Sequence, residues 1–424
     1  SLPVSVRLNP DKNRDAEAIF GDLLADQVPW CSNGWYLKER PQFTLDPHLH
    51  AGVYYVQEAS SMFIMQAVSQ VLGDNRNLRA LDLCGAPGGK STLLAGMPQF
   101  KLVVANELIA SRVPVLQENI VKWGAPHVFV TNNDVADFSR LGSFFDFVLV
   151  DAPCSGSGLF RKEPAALKEW SQDAVSFCAQ RQRRILKDAA DLLDEGGILV
   201  YSTCSFSKEE NEDNTDFLIS QGFESVQLKL EPAWQVVESI SDQHQAYGYR
   251  FYPYKLSGEG FFCTVFRKLK NASKSAGNYG KRIPRQVVFP EASKWLSESF
   301  DLYLTERDGD LMACNASNAE DLFHLKDFLK VKKTGIRVGR LIRDELIPDH
   351  ELALSLVLSP TLPSLELSRE DAVRYLRRDE FHVAFNNSGW HLIKYKEARL
   401  GWVKISQGRI KNNYPMSWRI LMKP

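Results

Sequence analysis

Apolar positions along the chain fall into distinct rhythms. From about residue 78 to 268, runs of four to six apolar residues are separated by longer amphipathic stretches, the pattern of strands alternating with helices. Strands are predicted at 80–83, 102–105, 128–131, 145–150 and 198–201, with a closing pair near 225–230 and 261–266. Seven such strands predict an α/β fold built on a mostly parallel sheet. Before them, residues 1–75 mix short apolar runs with turn residues and with Trp30, Trp35, Tyr54 and Tyr55, which predicts a small α+β extension. After them, 271–285 is rich in Asn, Ser, Gly and Lys without apolar periodicity and reads as a basic linker. Beyond it the chain carries many short strand-like and helix-like pieces and no tandem repeat.

A chain of 424 residues exceeds a single core and predicts two or three domains. Hydrophobic residues make up 44% and charged residues 24%, the balance of a globular protein rather than a disordered one. Apolar runs such as Phe147-Val148-Leu149-Val150 fall far short of the roughly 20 residues that span a bilayer. The opening residues contain no apolar secretion segment. Seven cysteines, an odd number without CxxC spacing, argue against a disulfide framework and a zinc site. A reducing cytoplasm is therefore expected, with no metal and no membrane. The net charge of −1 gives no sign of a nucleic-acid binder. Locally, however, 267–285 holds seven basic residues and 404–424 holds five, with no acidic residue in either. Such stretches suit phosphate contact or a merely solvated surface equally well.

Candidate chemistry sits at the ends of the predicted strands. Leu81-Asp82-Leu83-Cys84-Gly85-Ala86-Pro87-Gly88-Gly89-Lys90-Ser91 is a glycine-rich turn between a strand and a helix. A Walker A loop needs glycine where Cys84 stands, and GxGxxG is absent, so ATP and dinucleotides are disfavoured. A turn that lets the backbone approach S-adenosylmethionine fits. Glu107 follows the next strand about 20 residues on, where a carboxylate can accept from ribose hydroxyls. Asp134 follows the strand after that and could receive an adenine amino group, although a loop aspartate is also an ordinary cap.

Two further strands each deliver a thiol. Phe145-Asp146-Phe147-Val148-Leu149-Val150-Asp151-Ala152-Pro153-Cys154-Ser155-Gly156 brings Asp151 and Cys154 to a carboxyl end, and Gly196-Gly197-Ile198-Leu199-Val200-Tyr201-Ser202-Thr203-Cys204-Ser205 brings Cys204. Either thiol alone reads as core filling. Their matched placement at strand ends, which face the ligand crevice in open α/β sheets, reverses that reading. Carbon 5 of cytosine is a poor nucleophile until a thiolate adds to carbon 6; a base must then remove the carbon-5 proton before the thiol leaves. Asp151 can hydrogen-bond the amidine edge of the base, and Lys90 can point at the same edge. An exocyclic-nitrogen methyltransferase would carry an aromatic residue where Cys154 stands.

The stretches Cys84-Gly-Ala-Pro-Gly-Gly-Lys90, Asp151-Ala-Pro-Cys154-Ser-Gly and Ser202-Thr-Cys204-Ser resemble the signatures of the Nol/Nop/Sun family of RNA cytosine-5 methyltransferases. The likeness extends to Val6-Arg7-Leu8-Asn9-Pro10, Tyr55-Val56-Gln57-Glu58-Ala59-Ser60-Ser61-Met62 and Gly258-Glu259-Gly260-Phe261-Phe262. Gly85 stands where the family usually has alanine. The resemblance implies a class I, Rossmann-like methyltransferase domain over 76–270. It implies Cys204 as nucleophile, Cys154 as the cysteine that releases product, and S-adenosylmethionine held by residues 84–90, that is Cys84, Gly85, Ala86, Pro87, Gly88, Gly89 and Lys90, with Glu107, Asp134 and Asp151.

The tail, Gly401-Trp402-Val403-Lys404 and Arg409-Ile410-Lys411-Asn412-Asn413-Tyr414-Pro415, resembles the PUA-like module of the bacterial branch that methylates small-subunit (16S) ribosomal RNA. That places a PUA-like RNA-binding module at 366–424 and leaves 286–365 as a small intermediate module. Trp402, Arg409, Lys411 and Tyr414, with Arg7 of the extension, are the candidate RNA contacts, through stacking and phosphate binding. The expected partner is 16S ribosomal RNA or the small subunit, met by a monomer. Transfer RNA is the alternative substrate, and a catalytically silent ribosome-assembly factor is the alternative of another class. Lys90, Glu107, Asp151 and both cysteines are all present, as the silent reading would not require.

Overall fold

The computed structural model describes residues 2–162, 166–269, 286–343 and 345–423; the expected linker at 271–285 lies outside them. Strands β1 (Val4–Leu8), β2 (Leu24–Gln27), β3 (Gly34–Leu37) and β4 (Tyr54–Val56) form an N-terminal sheet in the order β2-β3-β1-β4. The central sheet follows with β5 (Leu78–Asp82), β6 (Phe100–Asn106), β7 (Val128–Thr131), β8 (Phe145–Asp151) and β9 (Leu193–Thr203). To these are added β10 (Phe223–Ser225), β11 (Val237–Ile240), β12 (Tyr247–Phe251) and β13 (Phe261–Lys268). Strands β14 (Leu302–Arg307) and β15 (Asp310–Asn315) precede β16 (Val331–Thr334), which is followed by β17 (Ile336–Ile342) and β18 (Glu345–Pro348). The last sheet holds β19 (Ser364–Glu366), β20 (Gly389–Tyr395), β21 (Ala398–Ser406) and β22 (Arg409–Asn412) in chain order.

The central sheet runs β11-β12-β13-β9-β8-β5-β6-β7-β16, with β10 also on β13. Its five middle strands are parallel, flanked by antiparallel strands. The chain turns from β5 to neighbours on both sides, which makes β5 the switch point where an open α/β sheet binds its ligand. Buried positions alternate across the sheet: Val103 and Ala105 of β6 join Leu93, Met62 and Phe63 on one face, while Leu102 and Val104 join Leu186, Leu322 and Leu325 on the other. Burying both faces is what makes these strands read as near-continuous apolar runs.

Two expectations change. The sheet has ten strands rather than seven. The strand expected at 225–230 covers only Phe223–Ser225, because beyond it the Gln70 side chain takes the backbone groups of Lys229, at 2.8 and 3.0 Å. The stretch 286–365 carries a four-stranded sheet of its own, in the order β14-β15-β17-β18, and also reaches into the central sheet. It lays β16 antiparallel on β7, and Asp321 beside it binds Arg79 and Lys101 at 2.9 and 2.8 Å. The C-terminal core likewise merges with the N-terminal segment, since Ala51 and Val53 pack with Tyr375, Leu376 and Val403. Among the described residues no helix is long and apolar enough to cross a membrane.

Candidate active site

The carboxyl ends of β5 to β8 converge on a cavity of about 740 Å³, whose walls include Cys84, Ala86, Glu107, Asp134, Asp151 and Cys154. The glycine turn after β5 is fastened at its carbonyls and amides. Gly85 N donates to Asn106 O at 2.6 Å, Arg112 Nη2 donates to Ala86 O at 2.6 Å, and Asn119 Nδ2 to Pro87 O at 2.8 Å. Gly88, at φ +120°, takes a conformation that side-chain-bearing residues rarely adopt. A Cβ on Gly85 would lie 2.9 Å from Ser91 Oγ, so this departure from the family pattern gives Ser91 room to donate to Asp82 Oδ2 at 2.6 Å. Gly85, Pro87, Gly88, Gly89 and Lys90 shape the turn without lining the cavity.

Glu107 is buried at the end of β6. Its Oε1 accepts from Ile109 N at 2.8 Å, while Oε2 has no hydrogen-bond partner and faces the Arg112 guanidinium at 3.3 Å. A buried carboxylate oxygen with an unfilled acceptor, on the wall of the cavity, fits the ribose of S-adenosylmethionine. Asp134 caps the short helix Val135–Leu141, pairs with Arg184 at 2.8 Å and also lines the cavity. Cap and wall are therefore the same side chain. Burial raises the Asp82 carboxyl to about 7 and pushes the Cys84 thiol up as well.

On the cavity wall, Asp151 Oδ2 accepts from Lys90 Nζ and its Oδ1 from Ser202 Oγ, each at 2.7 Å. Burial alone would lower the Lys90 ammonium, but the Asp151 carboxylate outweighs it and holds the group above its ordinary value. Cys154 Sγ lies 2.9 Å from Cys204 Sγ. The hydrogen bond between the two thiols and then burial push Cys154 well above the usual thiol range.

Glu210 escaped the sequence reading. It is fully buried and accepts from Ser155 N at 2.9 Å, Ser155 Oγ at 2.5 Å, Ser205 Oγ at 2.5 Å and Gln182 Nε2 at 2.9 Å. Ser155 adjoins Cys154 and Ser205 adjoins Cys204, so one carboxylate ties both thiol turns together. Its only sequence signal is position, six residues after Cys204 in a run of acids that reads as solvent-facing.

Three of the expected RNA contacts are buried and therefore corrected. Arg7 is 1% exposed; it donates to Gln57 Oε1 at 2.7 Å and Thr92 Oγ1 at 2.6 Å and lies over the Trp123 ring, clamping the N-terminal sheet to the helix Gly89–Ala95. Trp402 packs edge-on against Trp295 and donates to Asp349 O at 2.8 Å. Tyr414 is enclosed by His350 and Tyr375. Arg409 and Lys411 are exposed on β22. Among the described residues no group of three His, Cys, Asp or Glu side chains is placed to hold a metal ion.

Residues 69–267 match the family model described as 16S rRNA methyltransferase RsmB/F. Residues 1–59 match the N-terminal domain of 16S rRNA methyltransferase RsmF, and 362–420 its PUA domain. A ribosomal RNA small subunit methyltransferase F of Aliivibrio fischeri (strain MJ11) is 31% identical over 439 residues, covering 97% of this chain and 90% of that protein. The chain belongs to the RsmB/F family. Its relative of the same name in Erwinia tasmaniensis is 32% identical, over 92% of this chain and 84% of that one. Among solved structures, a methyltransferase homolog protein from Pyrococcus horikoshii superposes with a TM-score of 0.54 at 28% identity, covering 63% of this chain and 87% of its own. NSun6 of the same organism, solved with SFG, shares the fold at a TM-score of 0.53 and 21% identity, over 63% and 91% of the two chains. The RsmB/F chain described here is thus a methyltransferase with a PUA domain.

Proposed function

We infer that this RsmB/F chain methylates carbon 5 of a cytosine in 16S ribosomal RNA, acting as a monomer in the cytoplasm. The observation that carries the reading is the pair of thiols at neighbouring strand ends, 2.9 Å apart, beside a cavity whose buried Glu107 oxygen suits a ribose. S-adenosylmethionine, held by Cys84 and Ala86 of the turn with Glu107, Asp134 and Asp151, supplies an electrophilic methyl group. Cys204, as thiolate, adds to carbon 6 of the cytosine and makes carbon 5 nucleophilic. Asp151, held by Lys90 and Ser202, presents its carboxyl to the amidine edge of the base. Cys154 serves the release step, in which the carbon-5 proton leaves and the Cys204–carbon-6 bond breaks. Arg409 and Lys411 contact phosphates.

The test is methyl transfer from labelled S-adenosylmethionine to naked 16S RNA, assembled small subunits and unmodified transfer RNA, with products mapped by bisulfite sequencing. Methylcytosine in 16S RNA is expected. Product on transfer RNA alone would move the substrate and keep the chemistry; no product on any RNA would leave only the silent assembly factor.

A further inference from the structure

The stretch Gly258-Glu259-Gly260 is adjacent to the thiol turns, and it roots a strip of aromatic rings that the chemistry above does not use. Phe206 follows Cys204 by two residues. Its backbone is fixed, since Phe206 N donates to Ser157 Oγ at 2.8 Å and Phe206 O accepts from Arg250 Nη1 at 3.0 Å. A Cβ on Gly260 would run into the Phe206 ring, so glycine there is what lets the ring lie against the turn that carries Cys204. From Phe206 the stack continues outward. Tyr252 lies at 5.9 Å and 15° to it, and Tyr254 at 5.3 Å and 30° to Tyr252. Tyr254 is 76% exposed, so the stack ends on an open ring face. With Pro253 and the exposed Arg161, these rings line a hollow of about 450 Å³.

We propose that this strip seats an unpaired RNA base flanking the target cytosine, stacked on the open face of Tyr254 with Arg161 toward its phosphate. The proposal rests on the reading of RNA as substrate. Three observations select this occupant. The strip is continuous with the turn that carries Cys204. Its rings are already near-parallel, the geometry in which a nucleobase extends a stack. The hollow adds a cation suited to a polyanion. A base drawn out of its helix to reach Cys204 loses its own stacking neighbours, and a platform beside the thiol holds the adjoining base once they separate.

The experiment measures methyl transfer to a 16S RNA transcript by the full chain and by Tyr254→Ala and Tyr254→Phe. Tyr254→Ala should raise KM for RNA by about 10-fold, with the loss in KM rather than in kcat, and Tyr254→Phe should restore it. A 4-thiouridine-substituted transcript should crosslink to the 252–254 peptide of the wild-type protein. Wild-type KM in Tyr254→Ala, with the parent protein active, overturns the strip and leaves the function standing. A changed sedimentation coefficient with unchanged KM does the same, by assigning the face to a second copy of the chain. No transfer by the parent protein to any RNA overturns the functional reading and the strip together.

Discussion

Cys154 Sγ and Cys204 Sγ stand 2.9 Å apart, although 50 residues separate them in the chain. Two thiols this close at neighbouring strand ends fit the divided labour proposed for them, addition by Cys204 and release through Cys154. Cys204→Ala is expected to lose both methyl transfer and any covalent RNA complex. Cys154→Ala is expected to accumulate the complex, visible as a slow band on a denaturing gel with labelled RNA. A trapped complex in Cys204→Ala would reverse the assignment. Mild oxidation with diamide should also join the pair, lowering titratable thiols from seven to five.

Glu210 is a positioning residue for both turns. Glu210→Gln keeps the shape but removes the charge that accepts from Ser155, Ser205 and Gln182. Misplacing the thiols by a fraction of an ångström to an ångström should lower kcat by about 100-fold, with KM for RNA little changed. Parallel losses in kcat and folding stability would instead make Glu210 a purely structural residue; chemical denaturation alongside the kinetics separates the two.

Arg7 acts on stability. Arg7→Ala strands the buried acceptors of Gln57 and Thr92 and should cost about 3 kcal/mol, read from urea unfolding. The salt dependence of RNA binding should not move. Arg409→Ala and Lys411→Ala should each reduce that salt slope by about one without changing the unfolding midpoint.

Acid should loosen the contact between the C-terminal core and the rest. Burial lowers His50 to about 4 and His350 to about 3, with Lys122 adding to the shift at His50 and Lys122 and Lys12 at His350. Unfolded imidazoles take up protons near 6.5, before the folded ones do. The stability these groups contribute is complete above that pH and is lost as pH falls toward 4 and 3. His350→Phe keeps the edge-on packing with Tyr414 and Trp418 and removes two ring nitrogens without partners, so its melting temperature should fall less between pH 7 and 4.5. Asp82 runs oppositely. Its folded value of about 7 lies above the ordinary 3.8, so its contribution is complete below 3.8 and lost as pH rises to 7. Asp82→Asn should flatten that part of the profile.

The parallel strands and the cavity-wall positions of Cys84, Ala86, Glu107, Asp134, Asp151 and Cys154 were legible because both depend on local patterning. A strand buried on two faces is an apolar run, and its carboxyl end is where the chain carries its chemistry. The 128–131 strand was read to the residue. What failed depends on partners far away in the chain. Trp402 and Tyr414 alternate with basic residues, as an RNA-stacking surface would. They face inward because Trp295, Asp349 and His350 wait there. Arg7 looked like a surface cation until Thr92 and Gln57 enclosed it. Strand β16 contains Lys332 and Lys333, which disguise it. Lys333 is buried in an ion pair with Glu351 and also donates to Gly335 O.

The pairing of β16 on β7 has a consequence for how the protein is made. Strand β7, Val128-Phe129-Val130-Thr131, is buried throughout, yet the strand that closes its free side lies two hundred residues downstream. During translation the methyltransferase domain emerges complete in its chemistry while its most apolar edge is still open, a template for pairing with a neighbouring nascent chain. The segment ahead of the PUA domain therefore serves as a built-in guard for that edge, and a fragment ending at residue 268 would keep every group of the candidate active site while losing its protection against aggregation.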